Sequence, residues 1–398
     1  MRDAREIHVV FLPSWYPADP QDISGSFFRE QALALRHIGI KVGVIAPSLR
    51  SMKRPLSALR GAGRIYCEDD HGIPTYRSYL PHLTPRLQTI TSRRLSKRAL
   101  RLFDEYIKAQ GRPDLLHVHA ALPAGEAAIA IMARHRIPFV LSEHSTALAR
   151  GRVGSRGVRQ MREVNRMASA CYAVSSPFAK LLESRLGLEP NACGVMPNSV
   201  SDLFLSGEIQ SKNSAGFQFC HVSLLDGKKN VAALIRAFAS RFRGDATVSL
   251  VIGGNGPTRP ALQQLARDCG VSRQVEFVGA LSRGQVRDLL ARSDAFVLPS
   301  QFETFGVVLV EATAMGVPII ATRCGGPEDI VTDRNGILVP VGDTAALGAA
   351  MQRMREDRAC WDPQRIRREC RDRFSAEVLT RQWRDIYAAL VSRQDTPT

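Results

Sequence analysis

Residues 295–316 read AFVLPSQFETFGVVLVEATAMG, and this stretch decides the fold. The run Ala295–Leu298 is short and apolar and is followed by Pro299, which is typical of a buried parallel strand. No helix breaker occurs between Val307 and Met315, so we predict a helix there. A buried strand followed by a turn and a helix is the repeating unit of a parallel α/β sheet.

The same stretch places two glutamates, Glu303 and Glu311, eight residues apart. We predict that Glu303 lies in the turn and Glu311 about two turns into the helix, roughly 12 Å away by axial rise. The backbone N–H groups of Thr304, Phe305 and Gly306 are expected at the helix start, where free amides and the dipole favour an anion such as phosphate. This layout suits a nucleotide-sugar. The alternative is an acidic residue favoured at the helix start by the dipole alone.

Apolar strands alternate with helical patterns on both sides of this stretch. The first series is Ile7–Leu12, Val42–Ile45, Leu115–Val118, Phe139–Leu141, Cys171–Val174 and Gly194–Met196; the second is Phe217–Ser223, Val248–Ile252, Val275–Val278, Phe296–Leu298, Ile319–Ala321 and Ile337–Val339. Between them, Ser206–Gly216 is polar and aperiodic, as expected of a linker. We predict two doubly wound, Rossmann-like α/β domains, residues 1–205 and 206–374, followed by a helical segment at 375–398.

Composition indicates an ordinary globular chain of 398 residues, with 44% hydrophobic and 23% charged residues. No apolar run is long enough for a transmembrane helix, and the N-terminus has no signal-peptide pattern. The eight cysteines are dispersed and form no Cys-x-x-Cys pair. We therefore expect free thiols and a cytoplasmic protein.

The positive charge is concentrated in the first half, where residues 1–200 contain 29 Lys and Arg against 16 Asp and Glu. The densest part, Arg86–Arg112, combines basic residues with leucines in a helical pattern. Such a helix can bind an anionic membrane surface, or it can be a solvated helix with its apolar side on the core. Nucleic acid is disfavoured as a partner because no helix-turn-helix, zinc or aromatic stacking motif accompanies the charge.

The pattern Glu303-x-Phe305-Gly306 through Glu311-Ala312, followed by Gly316-Val317-Pro318 and Gly325-Gly326-Pro327-Glu328, resembles the donor-binding half of family 4 of the glycosyltransferases. These are retaining enzymes of the GT-B fold. The resemblance implies two domains facing an interdomain cleft, with the C-terminal helix packed back on the first domain. It also implies a nucleotide-sugar substrate, no cofactor and no essential metal.

In the second domain, Lys228 and Lys229 follow a strand and open a helix, where a lysine can meet a phosphate. The family's arginine five residues before this lysine is Leu224 here, which leaves Lys228 or Arg323 as the partner of Lys229. Gly254 lies in a glycine-rich turn that either approaches the donor or is a plain tight turn. The resemblance assigns catalysis to Glu303, His119 and Lys229, and donor binding to Gly25, Lys228, Gly254, Thr304, Phe305, Gly306 and Glu311.

In the first domain, Ser24-Gly25-Ser26 precedes a helix, and the family commonly has glycine where Ser26 stands. His117 and His119 share a strand face. The element Asp114-x-x-His117-x-His119 resembles one whose second histidine meets the donor sugar or the acceptor. We predict acceptor binding by Glu143 and His144. A metal site at these histidines is disfavoured because no Asp-x-Asp motif is present.

The sequence thus predicts a retaining glycosyltransferase of hexosyltransferase type. It would extend a saccharide acceptor, linked to a polyprenyl lipid, in bacterial surface or exopolysaccharide synthesis, as a cytoplasmic or peripheral inner-membrane protein. The alternatives are a glycosyltransferase acting on a small soluble acceptor, a nucleotide-sugar epimerase or phosphorylase, and a nonenzymatic nucleotide-sugar-binding scaffold.

Overall fold

The computed structural model describes residues 6–18, 22, 25–53, 55–83, 88–209 and 216–393. Ser24 of the predicted glycine turn, Arg86 of the basic stretch and residues 210–215 of the predicted linker lie outside the described residues. The described chain forms two units. The first lies within Met1–Val174, Ala179–Pro197 and Leu379–Thr398, and the second within Ser175–Phe178 and Asn198–Val378.

The sheet of the first unit is parallel apart from one edge hairpin. Its strands are β1 His8–Pro13, β2 Lys41–Arg50, β3 Tyr66–Asp69, β4 Pro74–Pro81, β5 Leu115–His119, β6 Phe139–Glu143, β7 Ala170–Ala173 and β8 Cys193–Val195, in the order β3-β4-β2-β1-β5-β6-β7-β8. Only β3 and β4, among the strand pairs of the described residues, run antiparallel. This hairpin was not predicted, because its acidic residues and bounding prolines weaken the strand pattern.

The sheet of the second unit is parallel. Its strands are β9 Phe217–Val222, β10 Val248–Gly253, β11 Val275–Gly279, β12 Ala295–Leu298, β13 Ile319–Thr322 and β14 Gly336–Val339, in the order β11-β10-β9-β12-β13-β14. Every residue of β12 and β13 is buried, as expected for parallel strands covered on both faces. The predicted fold of two doubly wound α/β domains is confirmed.

Helices connect the strands in both units. They are α1 Ser26–His37, α2 Pro55–Leu59, α3 Gln88–Gln110, α4 Ala124–His135, α5 Thr146–Ala149, α6 Ser155–Met167, α7 Ser176–Leu186, α8 Asp202–Leu205, α9 Val231–Phe242, α10 Arg259–Asp268, α11 Arg283–Arg292, α12 Val307–Ala314, α13 Pro327–Ile330, α14 Thr344–Glu356, α15 Pro363–Phe374 and α16 Ala376–Ser392, with 3-10 turns at Gly227–Lys229 and Arg358–Cys360. Within the described part of the chain, none of these helices is long and apolar enough to cross a membrane.

The last helix, α16, completes the core of the first unit from Leu379 onwards. Trp383 and Tyr387 are buried in one cluster with Val9 and Phe11 of β1. Tyr387 Oη also lies 2.6 Å from Nδ1 of the buried His117, in a hydrogen bond. The C-terminal helix therefore supports the strand that carries the predicted site histidine.

Candidate functional site

The second unit has its topological switch point between β9 and β12, where the strand order reverses. The loops that follow these two strands start at the carboxyl edge of the sheet, which is where ligands bind in doubly wound folds. Gln301 N, after β12, donates a hydrogen bond to Lys228 O, after β9, at 2.8 Å. The fold thus ties together two loops that lie more than seventy residues apart in the sequence.

Lys229 and Glu303 form an ion pair at this point, with Nζ 2.5 Å from Oε1. Ser300 Oγ donates to the same carboxylate oxygen at 2.7 Å, and Thr322 Oγ1 holds the Ser300 carbonyl at 2.5 Å. The side chains of Lys229 and Glu303 are only 14% and 10% exposed. A lysine has three N–H donors, so Lys229 can meet a phosphate oxygen while it remains bonded to Glu303.

Helix α12 begins at Val307, as predicted, so the three amides that were expected at its start precede it. Gly306 is its N-cap, with φ 104°, and Val307 is the first helical residue. The predicted placement of the helix-start amides at Thr304–Gly306 is therefore wrong: the first-turn amides are those of Val307 and Val308. Phe305 is buried against Phe374, with ring centroids 5.8 Å apart, so it can offer a ligand only its backbone.

The observed helix start also corrects the predicted distance of Glu311 along the helix. Because residues 303–306 are not helical, Glu311 is the fifth residue of α12, just over one turn along it, rather than two. Its side chain is 15% exposed, and Oε1 lies 3.9 Å from Arg283 Nη2. Burial raises the pKa of Glu311 to about 7, and the Arg283 charge opposes that rise.

Arg283 was missed by the sequence analysis. It is the first residue of α11, whose start is fixed by the Ser282 capping box, and its guanidinium lies over the Phe204 ring at 5.7 Å. Its position after β11, at the carboxyl edge of the same sheet, is the sequence signal that could have identified it. Arg283 is the positive charge that keeps the buried Glu311 partly ionised near neutral pH.

The Gly325-Gly326 loop fixes the backbone of Glu303. Glu303 N donates to Cys324 O at 3.1 Å, and Gly326 N donates to Glu303 O at 2.9 Å. A Cβ on Gly326 would lie 2.3 Å from Phe305 Cα, so only glycine allows this close approach. The sequence motif that surrounds the glutamates therefore positions Glu303 through backbone contacts.

Gly254 and Leu224 complete the loops of this edge. Gly254 has φ 120°, and a Cβ there would lie 1.8 Å from Ser223 O, so packing inside the protein already requires this glycine. Its donor role stays a prediction. Leu224, at the place of the family's arginine, is 62% exposed. Lys229 is paired with Glu303, and the prediction that Lys228 or Arg323 acts as a second cation beside Lys229 stays a prediction.

Histidines and aromatic rings form the candidate site of the first unit. His119, at the end of β5, is fully buried; its ring is 4.0 Å from that of His117, 4.6 Å from Phe11 and 4.5 Å from Phe28. Its Nδ1 lies 3.4 Å from Nε2 of the half-buried His144. Burial first, and then the neighbouring His117 and His144, hold the pKa of His119 well below its usual value. The imidazole is therefore neutral at physiological pH.

His119 Nε2 is a buried polar atom with no hydrogen-bond partner among the described residues. Buried polar groups are nearly always hydrogen-bonded in native proteins, and a neutral imidazole nitrogen can donate to or accept from a hydroxyl. This observation favours the predicted contact of His119 with a sugar hydroxyl.

Glu143 organises the loops around His119. It is 1% exposed and accepts N–H bonds from Ala121 at 2.8 Å, His144 at 3.1 Å and Ser145 at 2.8 Å. Burial raises the pKa of its carboxyl, which these N–H bonds oppose. These three hydrogen bonds give Glu143 a role in positioning the loops. Its contact with the acceptor stays a prediction.

Gly25 is the N-cap of α1, and its φ of 77° is one that favours glycine. A Cβ at Gly25 would lie 2.9 Å from Trp15 Cδ1 and 3.3 Å from Phe28 Cδ2. Ser26, at the family's second glycine position, is the first residue of the helix. Gly25 thus allows α1 to start against the aromatic wall that covers His119.

No group of three or more His, Cys, Asp and Glu side chains in the described ranges is arranged to hold a metal ion. At the switch point, the second unit presents Lys229 of the ion pair and the first-turn amides of α12. The absence of a metal requirement stays a prediction.

Two family models match consecutive parts of the chain: the one described as Glycosyltransferase Family 4 matches residues 24–202, and the one described as Glycosyl transferases group 1 matches residues 207–373. A relative from Bacillus subtilis, named as a putative teichuronic acid biosynthesis glycosyltransferase, TuaC, is 26% identical over 377 residues, which cover 89% of this chain and 91% of the relative.

Solved structures show the same fold. Sucrose-phosphate synthase from Thermosynechococcus elongatus superposes with a TM-score of 0.75 at 19% identity, over 98% of this chain and 100% of that one. Anabaena HepE in complex with UDP gives a TM-score of 0.70 at 20% identity, over 96% of this chain and 100% of that one. These likenesses establish the architecture and leave the substrates open.

Proposed function

Because this chain belongs to the GT4-type glycosyltransferases, transferases of class EC 2.4, we propose that it moves a sugar from a nucleotide-diphosphate sugar to a hydroxyl of a lipid-linked saccharide, with retention of anomeric configuration. The observation that carries this proposal is the pair of Lys229 and Glu303 at the switch point of the second unit. It places a cation for phosphate beside a carboxylate for sugar hydroxyls.

In the proposed reaction, the acceptor hydroxyl oxygen attacks the anomeric carbon while the bond from that carbon to the diphosphate breaks on the same face. The hydroxyl proton passes to the departing phosphate oxygen. Lys229 and the amides at the start of α12 stabilise the charge that grows on the diphosphate. Glu303 orients the sugar, Glu311 binds the ribose hydroxyls, and the neutral His119 hydrogen-bonds a sugar hydroxyl.

The positive groups of the protein would supply the charge stabilisation that a divalent cation gives in other transferases. We therefore propose that transfer needs no resident metal. Unchanged initial rates after treatment with a chelator are expected, and a loss of activity that added Mg²⁺ or Mn²⁺ restores would overturn this part of the proposal.

The acceptor class is proposed from charge and from the named relative. The relative TuaC is named for teichuronic acid biosynthesis, and the first half of this chain carries the excess of basic residues. A basic unit favours a diphosphate-linked acceptor at an anionic surface. We accordingly propose that the protein acts at the inner face of the plasma membrane, in surface or exopolysaccharide synthesis.

The test follows a labelled sugar. Purified protein is incubated with radiolabelled UDP-, GDP- or ADP-sugars, UDP first because HepE was crystallised with UDP, and with membrane lipid extract or with free oligosaccharides. Label should enter the organic phase. A glycosidase specific for the anomeric configuration of the donor should then release the labelled sugar from the product. Release only by the opposite enzyme would refute retention, and label found only on soluble sugars would replace the lipid acceptor by a soluble one.

A further inference from the structure

Helix α2 turns its large apolar side chains to solvent. Leu56 is 87% exposed and Leu59 is 55% exposed, whereas the small Ala58 is fully buried. Residues three apart lie on the same side of a helix, so the two leucines form one apolar face. A surface helix ordinarily directs such a face to the core, and α2 does the reverse.

Two further apolar side chains of the first unit are exposed, Leu83 at 56% and Ile90 at 46%, and hydrogen bonds connect their segments to α2 and the residues that follow it. The connection runs through Arg50, whose Nη1 donates to Arg60 O at 3.0 Å and whose carbonyl accepts from His82 N at 2.9 Å. Arg50 thus joins the end of α2 to the segment that carries Leu83.

The first turns of α3 join the same surface. Arg94 Nη1 donates to Pro81 O at 3.2 Å, and Ile90 lies one turn before Arg94 on the same side of the helix. Arg98 Nη1 donates to Gly63 O, just after α2, at 2.9 Å. We call Leu56, Leu59, Leu83 and Ile90 the apolar surface of the first unit.

The charged side chains in the two segments that carry the apolar surface are all Lys or Arg. Residues 49–64 contain five Lys and Arg, residues 82–103 contain six, and neither segment contains Asp or Glu. Among the described ones, Lys53, Arg60, Arg93 and Lys97 are exposed. Exposed leucines flanked by cations match the chemistry of an anionic bilayer, whose surface is negative and whose interior is apolar.

Helix α3 itself is not the element that inserts. The apolar side of α3 is buried in the protein, as shown by Leu95, Leu102, Phe103 and Tyr106. This agrees with the prediction of a solvated helix whose apolar side faces the core. Its exposed side contributes charge, and the exposed apolar groups come from α2, the end of β4 and the first turn of α3.

We propose that the apolar surface of the first unit and its surrounding cations bind an anionic lipid bilayer, with Leu56 and Leu59 inserted among the lipids. The proposal deepens the proposed function and rests on it in one respect, that a lipid-linked acceptor lies in this bilayer. Nucleic acid is the less favoured partner, because a polyphosphate chain offers no apolar region for four aliphatic side chains.

The test is flotation of the full-length protein with vesicles of phosphatidylcholine alone or of an equimolar mixture with phosphatidylglycerol. We expect wild type to float with the mixed vesicles and not with the neutral ones. The double variant Leu56→Ser, Leu59→Ser should bind the mixed vesicles roughly tenfold more weakly. Val341→Ser, which changes an exposed apolar residue of the second unit (43% exposed), should float as wild type does.

Binding of a nucleoside diphosphate is measured on each variant, because it reports on the second unit and separates this inference from the proposed function. Loss of flotation with nucleotide binding intact supports the surface. Wild type that stays in solution with both vesicles, a double variant that floats undiminished, or complete displacement from vesicles by a single-stranded polynucleotide would each overturn it, whatever the transferase assay shows.

Discussion

The two candidate sites hold their polar groups in opposite ways. In the second unit, Lys229 and Glu303 are both charged and paired at 2.5 Å, and Glu311 lies near Arg283. In the first unit, His119 is enclosed by Phe11 and Phe28 and is kept neutral by burial. The difference matches their proposed ligands, since a diphosphate requires fixed charge and a sugar hydroxyl requires a neutral hydrogen-bond partner.

The charged site is expected to be the more sensitive to substitution. Lys229→Met and Glu303→Gln should each lower kcat by roughly 100-fold or more, because each removes preorganised charge from the proposed transition state. Single-turnover assays measure this loss of rate, with the donor that the labelled-sugar test selects. Arg241→Met is the control, since it removes an exposed positive charge from the last turn of α9, whereas Lys229 lies just before the first turn of that helix.

Thermal unfolding of these variants must accompany the kinetics, because removal of one partner of a buried ion pair costs stability. A folded Lys229→Met enzyme with the activity of wild type, or an Arg241→Met enzyme as impaired as Lys229→Met, would remove the ion pair from the proposed mechanism.

Substitution of His119 in the neutral site should lower kcat less than substitution in the charged site. Titration of His119 should not appear in the pH dependence of the wild-type rate. His119→Gln, which keeps a hydrogen-bonding group, should lower kcat by roughly tenfold, and His119→Ala by more. Because the pKa of His119 lies well below its usual value, the wild-type rate should show no inflection from this residue between about pH 6 and 8. An acid limb near pH 6.5 that disappears in His119→Gln would mean that the imidazole works in its charged form.

Glu311 links nucleotide binding to pH. Its folded pKa of about 7 lies above the ordinary 4.5, so burial of the charged form costs stability above pH 7, on the order of 3 kcal/mol, and costs nothing below the unfolded pKa. Glu311→Gln should therefore raise Tm at alkaline pH. It should also weaken nucleotide binding by roughly tenfold.

Ribose hydroxyls that donate to the Glu311 carboxylate lower its pKa, so wild-type affinity should rise with pH up to about 7. Nucleotide binding should then release protons from the protein to the buffer. Calorimetry in two buffers of different ionisation enthalpy measures this release. Equal pH dependence of wild type and Glu311→Gln would show that the ribose is bound elsewhere.

Leu224→Arg should give the smallest effect, and in the opposite direction. Leu224 is 62% exposed, so an arginine there costs little packing, and it restores the cation that the family has at this position. Affinity for a nucleoside diphosphate should improve by about fivefold, the size of an exposed ion pair. Leu224→Met controls for side-chain length, and no gain over that control would mean that the position is out of reach of the diphosphate.

The sequence predicted the fold well because buried parallel strands are short, apolar and separated by helices. The strands from Phe217 to Val339 were placed within about a residue of their observed ends, whereas the hairpin at Tyr66–Asp69 and Pro74–Pro81 was missed. The strand pattern is weak there because β3 is short, acidic and largely exposed, and because prolines bound β4.

The site was predicted less completely, because contacts between distant residues leave no local pattern. Lys229 and Glu303 were both identified, but their pairing follows from the adjacency of β9 and β12. Arg283 and the wall of Phe11 and Phe28 were missed, since one arginine at a helix start and two core phenylalanines resemble ordinary residues. The exposed Leu56 and Leu59 were missed because composition does not reveal which side of a short helix faces solvent.

The central claim is that the second unit binds a nucleoside diphosphate at Lys229. Titration calorimetry of UDP, GDP and ADP, each with its monophosphate, into wild type and Lys229→Met tests it most directly. We expect one diphosphate to bind wild type clearly more tightly than its monophosphate, and Lys229→Met to remove this preference. The absence of binding by all three, or a diphosphate preference unchanged in Lys229→Met, would contradict it.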